Sequence, residues 1–226
     1  MQFSKEPTSN SRAYLWTLAK CLKLDLDVPH EAMAAEARAL RDKFTLYRNQ
    51  DSYGHQGWYS LPLFGLGLDK PMSWDAYGYA NANEAAKDFA WTEIAEQCPV
   101  TVNWLKTKFP SQKLGRVRFM LLEAGGFIAP HIDSPYSIPD PVNIALTNPG
   151  DCTWQWSDGT TLNFVPGSAY AVNISYEHSV YNRSKEDRYH LIVHHHDSTP
   201  EWKQMMINAL EKQDESGYFC YSQDLY

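Results

Sequence analysis

Apolar positions in the first half of the chain recur at helical spacing. In NSRAYLWTLAKCLKL, residues 10 to 24, Leu15, Leu18, Ala19 and Leu22 share one face, with Asn or Ser available as N-cap. In PHEAMAAEARALRDKFTLY, residues 29 to 47, Pro29 suits a first turn, and Met33, Ala37, Leu40 and Phe44 form a stripe for burial. A third helical region is expected from about Asn83 to Lys108, broken at Pro99.

From Gly115 the period shortens. GRVRFMLLEAGGFIAPHID reads as strand, Gly-Gly turn, strand, and NIALTNP as another strand ending at a Pro-Gly turn. The stretch from Cys152 to Asn182 predicts a hairpin around Asp158-Gly159, a turn at Pro166-Gly167 and a further strand, and DRYHLIVHHH adds one more. In PEWKQMMINALEK the period returns to helical, with Trp202, Met205, Met206, Ala209 and Leu210 on one face. Many short strands flanked by helices predict an α+β fold: a double-stranded β-helix (jelly-roll, cupin-like) framed by N-terminal helices and a C-terminal helix. One domain is expected over residues 1–226, helical to about 110, a β-core at about 115–197 and a closing helix at about 199–213.

Composition narrows the partners. A formal charge of -7, with 20 Lys and Arg scattered along the chain, leaves no basic stripe for nucleic acid. Four cysteines, Cys21, Cys98, Cys152 and Cys220, sit far apart and form no C-x-x-C pair, which disfavours a cysteine zinc site and a disulfide scaffold. The N-terminus has no apolar leader and no stretch is long enough to span a bilayer, so a cytoplasmic protein with no membrane partner is expected. Oligomeric state is not legible.

The candidate chemistry begins at APHIDSPY. On a strand His131 and Asp133 point to the same face and can reach one ion. Two histidines and one carboxylate leave half of an octahedral iron(II) open, the arrangement of non-haem iron oxygenases. A second histidine is on offer at His178, in SYEHSVYNRSKEDRYHLIV, with Arg188 inside the next apolar run. A short His-x-Asp alone would more often be a pair of turn residues, and Arg188 alone a surface arginine. Together they carry more weight, since an arginine in an inner strand needs an anion.

These residues resemble iron(II)- and 2-oxoglutarate-dependent oxygenases of the aspartyl/asparaginyl β-hydroxylase-like family. The resemblance covers roughly residues 115 to 197: the Gly-Gly turn, the PHID segment, and above all His178-x-Val180 followed, ten residues after His178, by Arg188 in an apolar strand. It implies that His131, Asp133 and His178 hold iron and that Arg188 binds the distal carboxylate of 2-oxoglutarate. Asp133 stands where some members have glycine, which places the chain nearer the small-substrate, proline-hydroxylase-like branch. Where peptide-modifying members carry Arg-x-His in the strand after the first ligand, this chain has Asn143-Ile144-Ala145. Asn143 and Thr147 are therefore the candidate neutral donors to the proximal carboxylate.

Tyr136, Trp58, Trp154 and Trp156 are candidate substrate contacts, although paired tryptophans at period two are more often core. The His194-His195-His196 run cannot converge on one ion, because neighbours on a strand face opposite ways. The sequons at Asn173 and Asn182 read as chance. The resemblance implies a dioxygenase that uses iron(II), 2-oxoglutarate and O2, releases succinate and CO2, and hydroxylates an unactivated C-H bond of a free amino acid or small amino-acid-derived metabolite. Its rivals are a hydroxylase of Asp, Asn or Pro side chains in proteins and a jelly-roll binding module without turnover.

Overall fold

The computed structural model describes residues 19–47, 54–67, 74–111, 113–133, 141–195 and 199–216. Along the chain these form β1 (Cys21–Leu24), α1 (His30–Ala39), β2 (Thr45–Leu46), β3 (His55–Gly65), α2 (Ala82–Ala85), β4 (Ala90–Trp91) and α3 (Pro99–Thr107). The second half holds β5 (Leu114–His131), β6 (Val142–Ala145), β7 (Cys152–Trp156), β8 (Thr161–Leu162), β9 (Ala169–Val172), β10 (His178–Asn182), β11 (Arg188–His195) and α4 (Pro200–Ser216).

The long strand β5 organises the sheet. Its first half pairs antiparallel with β11, from Leu114 opposite His195 to Leu122 opposite Arg188. Its second half pairs with β10, ending with His131 opposite His178. Because β3 runs beside both halves, β11 and β10 must follow one another along the opposite edge. Strand order then continues outward as β11-β6-β9-β1 on one side and β10-β7-β8 on the other. The two wings face each other across an interior, giving the expected jelly-roll.

Side chains sort by the period of two. Val117, Phe119 and Leu121 of β5, with Tyr189, Leu191 and Val193 of β11, face outward and pack with Met33 and Ala37 of α1, Trp104 and Leu105 of α3, and Trp202 and Met206 of α4. Met120, Leu122, Tyr170, Val172, Trp154 and Val180 face inward. At about 25 cal/mol per Å² of apolar surface removed from water, the outer cluster is the principal driving force holding helices to sheet.

Several local expectations yield to these pairings. Residues 10–18 of the first expected helix lie outside the described residues, and its end is strand β1, which pairs with β9. Leu22 and Leu24 join the outer cluster while Cys21 joins the inner one, so alternation and ladder pairing override the helical spacing. Leu40 and Phe44 are buried as expected, but the helix stops at Ala39 and a 3₁₀ turn carries the chain on to Lys43. The region expected to be helical from Asn83 to Lys108 contains α2, β4 and two 3₁₀ turns, and Pro99 opens α3 instead of breaking a helix. Proline fits there because the first helical N–H has no intrahelical partner anyway. The next amides are met from α1: the Glu36 carboxylate accepts from Val100 N at 2.7 Å, Thr101 N at 3.1 Å and Thr101 Oγ1 at 2.6 Å.

The Gly-Gly pair is not a hairpin turn. β5 runs through it, with Gly125 in the left-handed region at φ 73°. At this bend the buried Asn182 amide donates to Leu122 O (3.1 Å), Glu123 O (3.0 Å) and Glu186 O (2.8 Å). It thereby ties the bend to the turn between β10 and β11, and neither Asn182 nor the fully buried Asn173 is placed to carry a glycan.

Candidate metal and cosubstrate site

Cross-strand pairing brings His131 and His178 together from 47 residues apart (178 − 131), their rings 4.3 Å apart between centroids. Asp133 lies just past the end of β5, its backbone N–H donating to Ile174 O at 3.1 Å. Asp133 Oδ2 is 3.4 Å from His131 Nε2 and 3.9 Å from His178 Nε2, and the three ligand atoms all lie within 4.8 Å of one another. Ligand bonds of about 2.1 Å bridge pairs up to about 4.2 Å apart, so the 3.4 and 3.9 Å separations from Asp133 suit one ion.

The imidazoles are oriented for that task. His131 Nδ1 donates to Ala129 O at 2.7 Å and His178 Nδ1 to Tyr176 O at 2.9 Å, which leaves both Nε2 lone pairs directed at the shared point. Trp154 stacks flat on His178, centroids 4.3 Å apart and planes 6° from parallel. Burial, with the adjacent His131 adding to it, pushes the His178 pKa down to about 4, so the ring is neutral and able to ligate at pH 7. One carboxylate and two imidazoles, grouped on one side of an open cavity, match the donor set that suits iron(II).

That cavity, about 230 Å³, lies between the two wings. Its second wall includes Arg188 and His190 of β11, Asn143 of β6, and Arg116 and Arg118 of β5. Arg188 is 6% exposed, and among the described residues no carboxylate forms an ion pair with it. Its Nε has no hydrogen-bond partner; Nη2 lies 3.0 Å from His190 Nδ1, and the guanidinium sits 5.2 Å from the Phe164 ring centre. Burial pulls the Arg188 pKa down from its ordinary value, with the Cys152 thiol opposing. A buried guanidinium without an acid beside it is a place for an anion, and its planar fork suits a carboxylate.

The other candidates divide. Trp58 and Trp154 line the cavity. Trp156 is buried and sits under the Lys20 ammonium, 5.6 Å from the ring centre, and is not among the described lining residues. Thr147 is not among them either: its Oγ1 accepts from Tyr189 N at 2.8 Å and pins the start of β11. Asn143 does line the cavity, but its Oδ1 stands 2.5 Å from His190 Nδ1. Tyr136 lies outside the described residues. His194 lines the cavity while His195 packs on the outer face against Phe109 and Trp202, as alternation requires; His196 lies outside the described residues. Sequence reasoning passed over His190, although its place two residues after Arg188, on the same strand face, was the available signal.

A jelly-roll with a His-Asp-His cluster and a buried arginine in one cavity defines the architecture of a metal-dependent oxygenase. The chain belongs to the aspartyl/asparaginyl beta-hydroxylase family, whose model matches residues 27–198. It is thus an enzyme of the 2-oxoglutarate oxygenase type, a hydroxylase, and its triad and Arg188 fit the iron(II) and 2-oxoglutarate that the sequence resemblance implies. No curated protein sequence matches the chain. Among solved structures it is similar to a Pseudomonas putida prolyl-4-hydroxylase (16% identity, TM-score 0.44, covering 84% of this chain and 99% of that one). It is also similar to the alpha-ketoglutarate-dependent epimerase SnoN of nogalamycin biosynthesis (14%, 0.46, 84% and 83%). A 2OG-Fe(II) oxygenase family protein from Burkholderia pseudomallei is similar too (15%, 0.41, 84% and 90%). Among the described residues no helix is long and apolar enough to cross a membrane.

Proposed function

We propose that the protein hydroxylates an unactivated C-H bond of a free amino acid or small amino-acid-derived metabolite. His131, Asp133 and His178 hold iron(II), and Arg188 holds the distal carboxylate of 2-oxoglutarate. The observation that carries this reading is the placing of the triad and the buried Arg188 on facing walls of one cavity. Iron(II) and 2-oxoglutarate bound there would activate O2, the oxidant, one oxygen atom going to the C-H bond as hydroxyl and the other into the succinate formed, with CO2, from 2-oxoglutarate.

The chain's own residues do the rest. Backbone carbonyls of Ala129 and Tyr176 fix the two imidazoles, and Trp154 holds His178 in plane. Ile128, Val180, Met120 and Ile192 make the cavity wall apolar between its polar groups, which limits the water that can reach the reacting centre. A small substrate is supported by the cavity's size and by charge: the described lining residues include Arg116, Arg118 and Arg188 against the single acid Asp133. Arg118, stacked 4.9 Å from the Tyr47 ring centre, is the group toward which a substrate carboxylate would turn.

The test is anaerobic addition of iron(II) and 2-oxoglutarate, followed through the weak visible charge-transfer band of the chelate. The band should vanish in His131→Ala. In Arg188→Ala it should need about a hundredfold more 2-oxoglutarate, the size of effect expected when one partner of a buried charge contact is removed. Screening free amino acids against short peptides for oxygen-dependent succinate release then decides the substrate class. A wild type that forms no band and releases no succinate overturns the oxygenase reading; turnover of peptides alone overturns the small-substrate reading.

A further inference from the structure

We propose that His190 is a positioning residue for Arg188: held by Asn143, its neutral imidazole fixes the guanidinium in the orientation that receives the distal carboxylate of 2-oxoglutarate. This rests on the oxygenase reading above and adds two residues to it.

Three buried side chains stand in line on the cosubstrate wall. Arg188 Nη2 is 3.0 Å from His190 Nδ1, and that same nitrogen is 2.5 Å from the Asn143 amide. Their exposures, 6%, 1% and 3%, leave little space for the side chains to turn. The chemistry of the line follows from its first member. A guanidinium only donates, so Nδ1 of His190 accepts from Arg188 and the ring proton sits on Nε2, which has no hydrogen-bond partner among the described residues; Asn143, whose Oδ1 stands 2.5 Å from the same Nδ1, must then turn its amide so that the NH2 group faces the ring. Burial and the nearby Arg188 charge both drive the His190 pKa far below its ordinary value, in agreement with a neutral ring.

Neutrality is what makes a histidine useful at this position. An aspartate or glutamate would hold Arg188 as firmly but would quench its charge, leaving no attraction for an incoming carboxylate. A neutral acceptor occupies one N–H of the fork and leaves the others, the unpartnered Nε–H among them, available to an anion. The Phe164 ring, 4.7 Å from His190 and 5.2 Å from Arg188, closes one side of the pair with an apolar surface. Asn143, a candidate donor to the proximal carboxylate on sequence grounds, thus acts through His190.

The experiment measures the dissociation constant of 2-oxoglutarate for the iron(II)-loaded protein without oxygen, using the visible band and tryptophan fluorescence. The variants are H190N, H190Q, H190L and H190D. Asparagine places an amide atom where Nδ1 stood, whereas glutamine reaches toward the Nε2 position. H190N should therefore bind within about threefold of wild type, and H190L and H190Q about tenfold more weakly, the effect of losing one hydrogen bond to a charged group. H190D should bind most weakly of the four. 2-Oxobutyrate, which keeps the 2-oxo acid and lacks the distal carboxylate, should bind wild type and H190L alike. The proposal is overturned if H190L matches wild type for 2-oxoglutarate, if H190Q retains affinity that H190N loses, or if 2-oxobutyrate binding falls in parallel. Failure of wild type to bind 2-oxoglutarate, or an Arg188→Ala variant that binds normally, removes the oxygenase reading itself and the positioning role with it.

Discussion

The bend of β5 offers a stringent test, because two adjacent glycines there are required for different reasons. A Cβ at Gly125 would meet nothing within 4 Å, so the only obstacle to alanine is its φ of +73°. Holding an L-residue in the left-handed region costs about 1–2 kcal/mol, and the lower entropy of the unfolded alanine chain returns about 0.4–1 kcal/mol. Gly125→Ala should therefore destabilise by about 1 kcal/mol. At Gly126 a Cβ would lie 2.8 Å from Gln56 O, 2.9 Å from Glu123 O and 3.0 Å from Leu122 Cδ1. Two of these contacts are backbone oxygens of β3 and β5 and cannot swing away, so the strands themselves must part; overpacking of this kind costs about 1–3 kcal/mol, and more where nothing yields. Gly126 is five residues before His131 on the strand that delivers it (131 − 126), so the shift should also reach the metal cluster. Urea denaturation of the metal-free variants, with m unchanged, should rank Gly126→Ala below Gly125→Ala, and a cobalt(II) titration should show weaker binding for Gly126→Ala alone. Equal midpoints, or a Gly126→Ala protein with wild-type metal affinity, would refute the claim that the bend aims His131.

Two further perturbations test the supports of the site. Asp158 accepts from Lys20, a buried residue whose ammonium lies over the Trp156 and Tyr176 rings, and from Thr160. Burial alone would raise its carboxyl pKa, but the Lys20 and Thr160 bonds outweigh it and hold the group at about 2, below the ordinary 3.8. A depressed carboxyl stabilises the fold above pH 3.8 and loses that contribution as pH falls toward 2. The stability gap between wild type and Asp158→Asn, read from urea midpoints, should therefore narrow as pH is lowered from 5 to 2; a constant gap would show that the pair contributes nothing through its charge. Replacing Trp154 by leucine removes the ring stacked on His178 and opens a void, which should cost about 3 kcal/mol and weaken metal binding about tenfold. Unchanged cobalt(II) affinity would show that the backbone bond to Tyr176 orients His178 by itself.

The amino-acid order alone offered the candidate site: His131 and Asp133 one residue apart, His178, then Arg188 in an apolar run. Ligand sets of this kind are legible because spacing along a strand is local, and alternation decides which side chains share a face. The α1 stripe of Met33 and Ala37 and the α4 face of Trp202 and Met206 were legible for the same reason. What sequence could not supply was pairing over long separations. The end of the first expected helix became β1 because its partner, β9, lies more than a hundred residues away. The GHQGWYSLPL segment of β3 allowed either a loop or the entry to a strand; the strand forms, with Pro62 falling between the residues that pair with β2 and β4 and its carbonyl accepting from Thr92 Oγ1 at 2.8 Å. The Gly-Gly pair read as a hairpin because local turn chemistry is the same whether the chain reverses or merely bends; only the shared edge of β5, taken first by β11 and then by β10, made it a bend. That edge sets His131 opposite His178 and keeps Arg188 on the facing wall. Residue type and order thus determined which groups could act, while the tertiary structure decided which of them meet, because distance in space depends on strand pairings that no local pattern encodes.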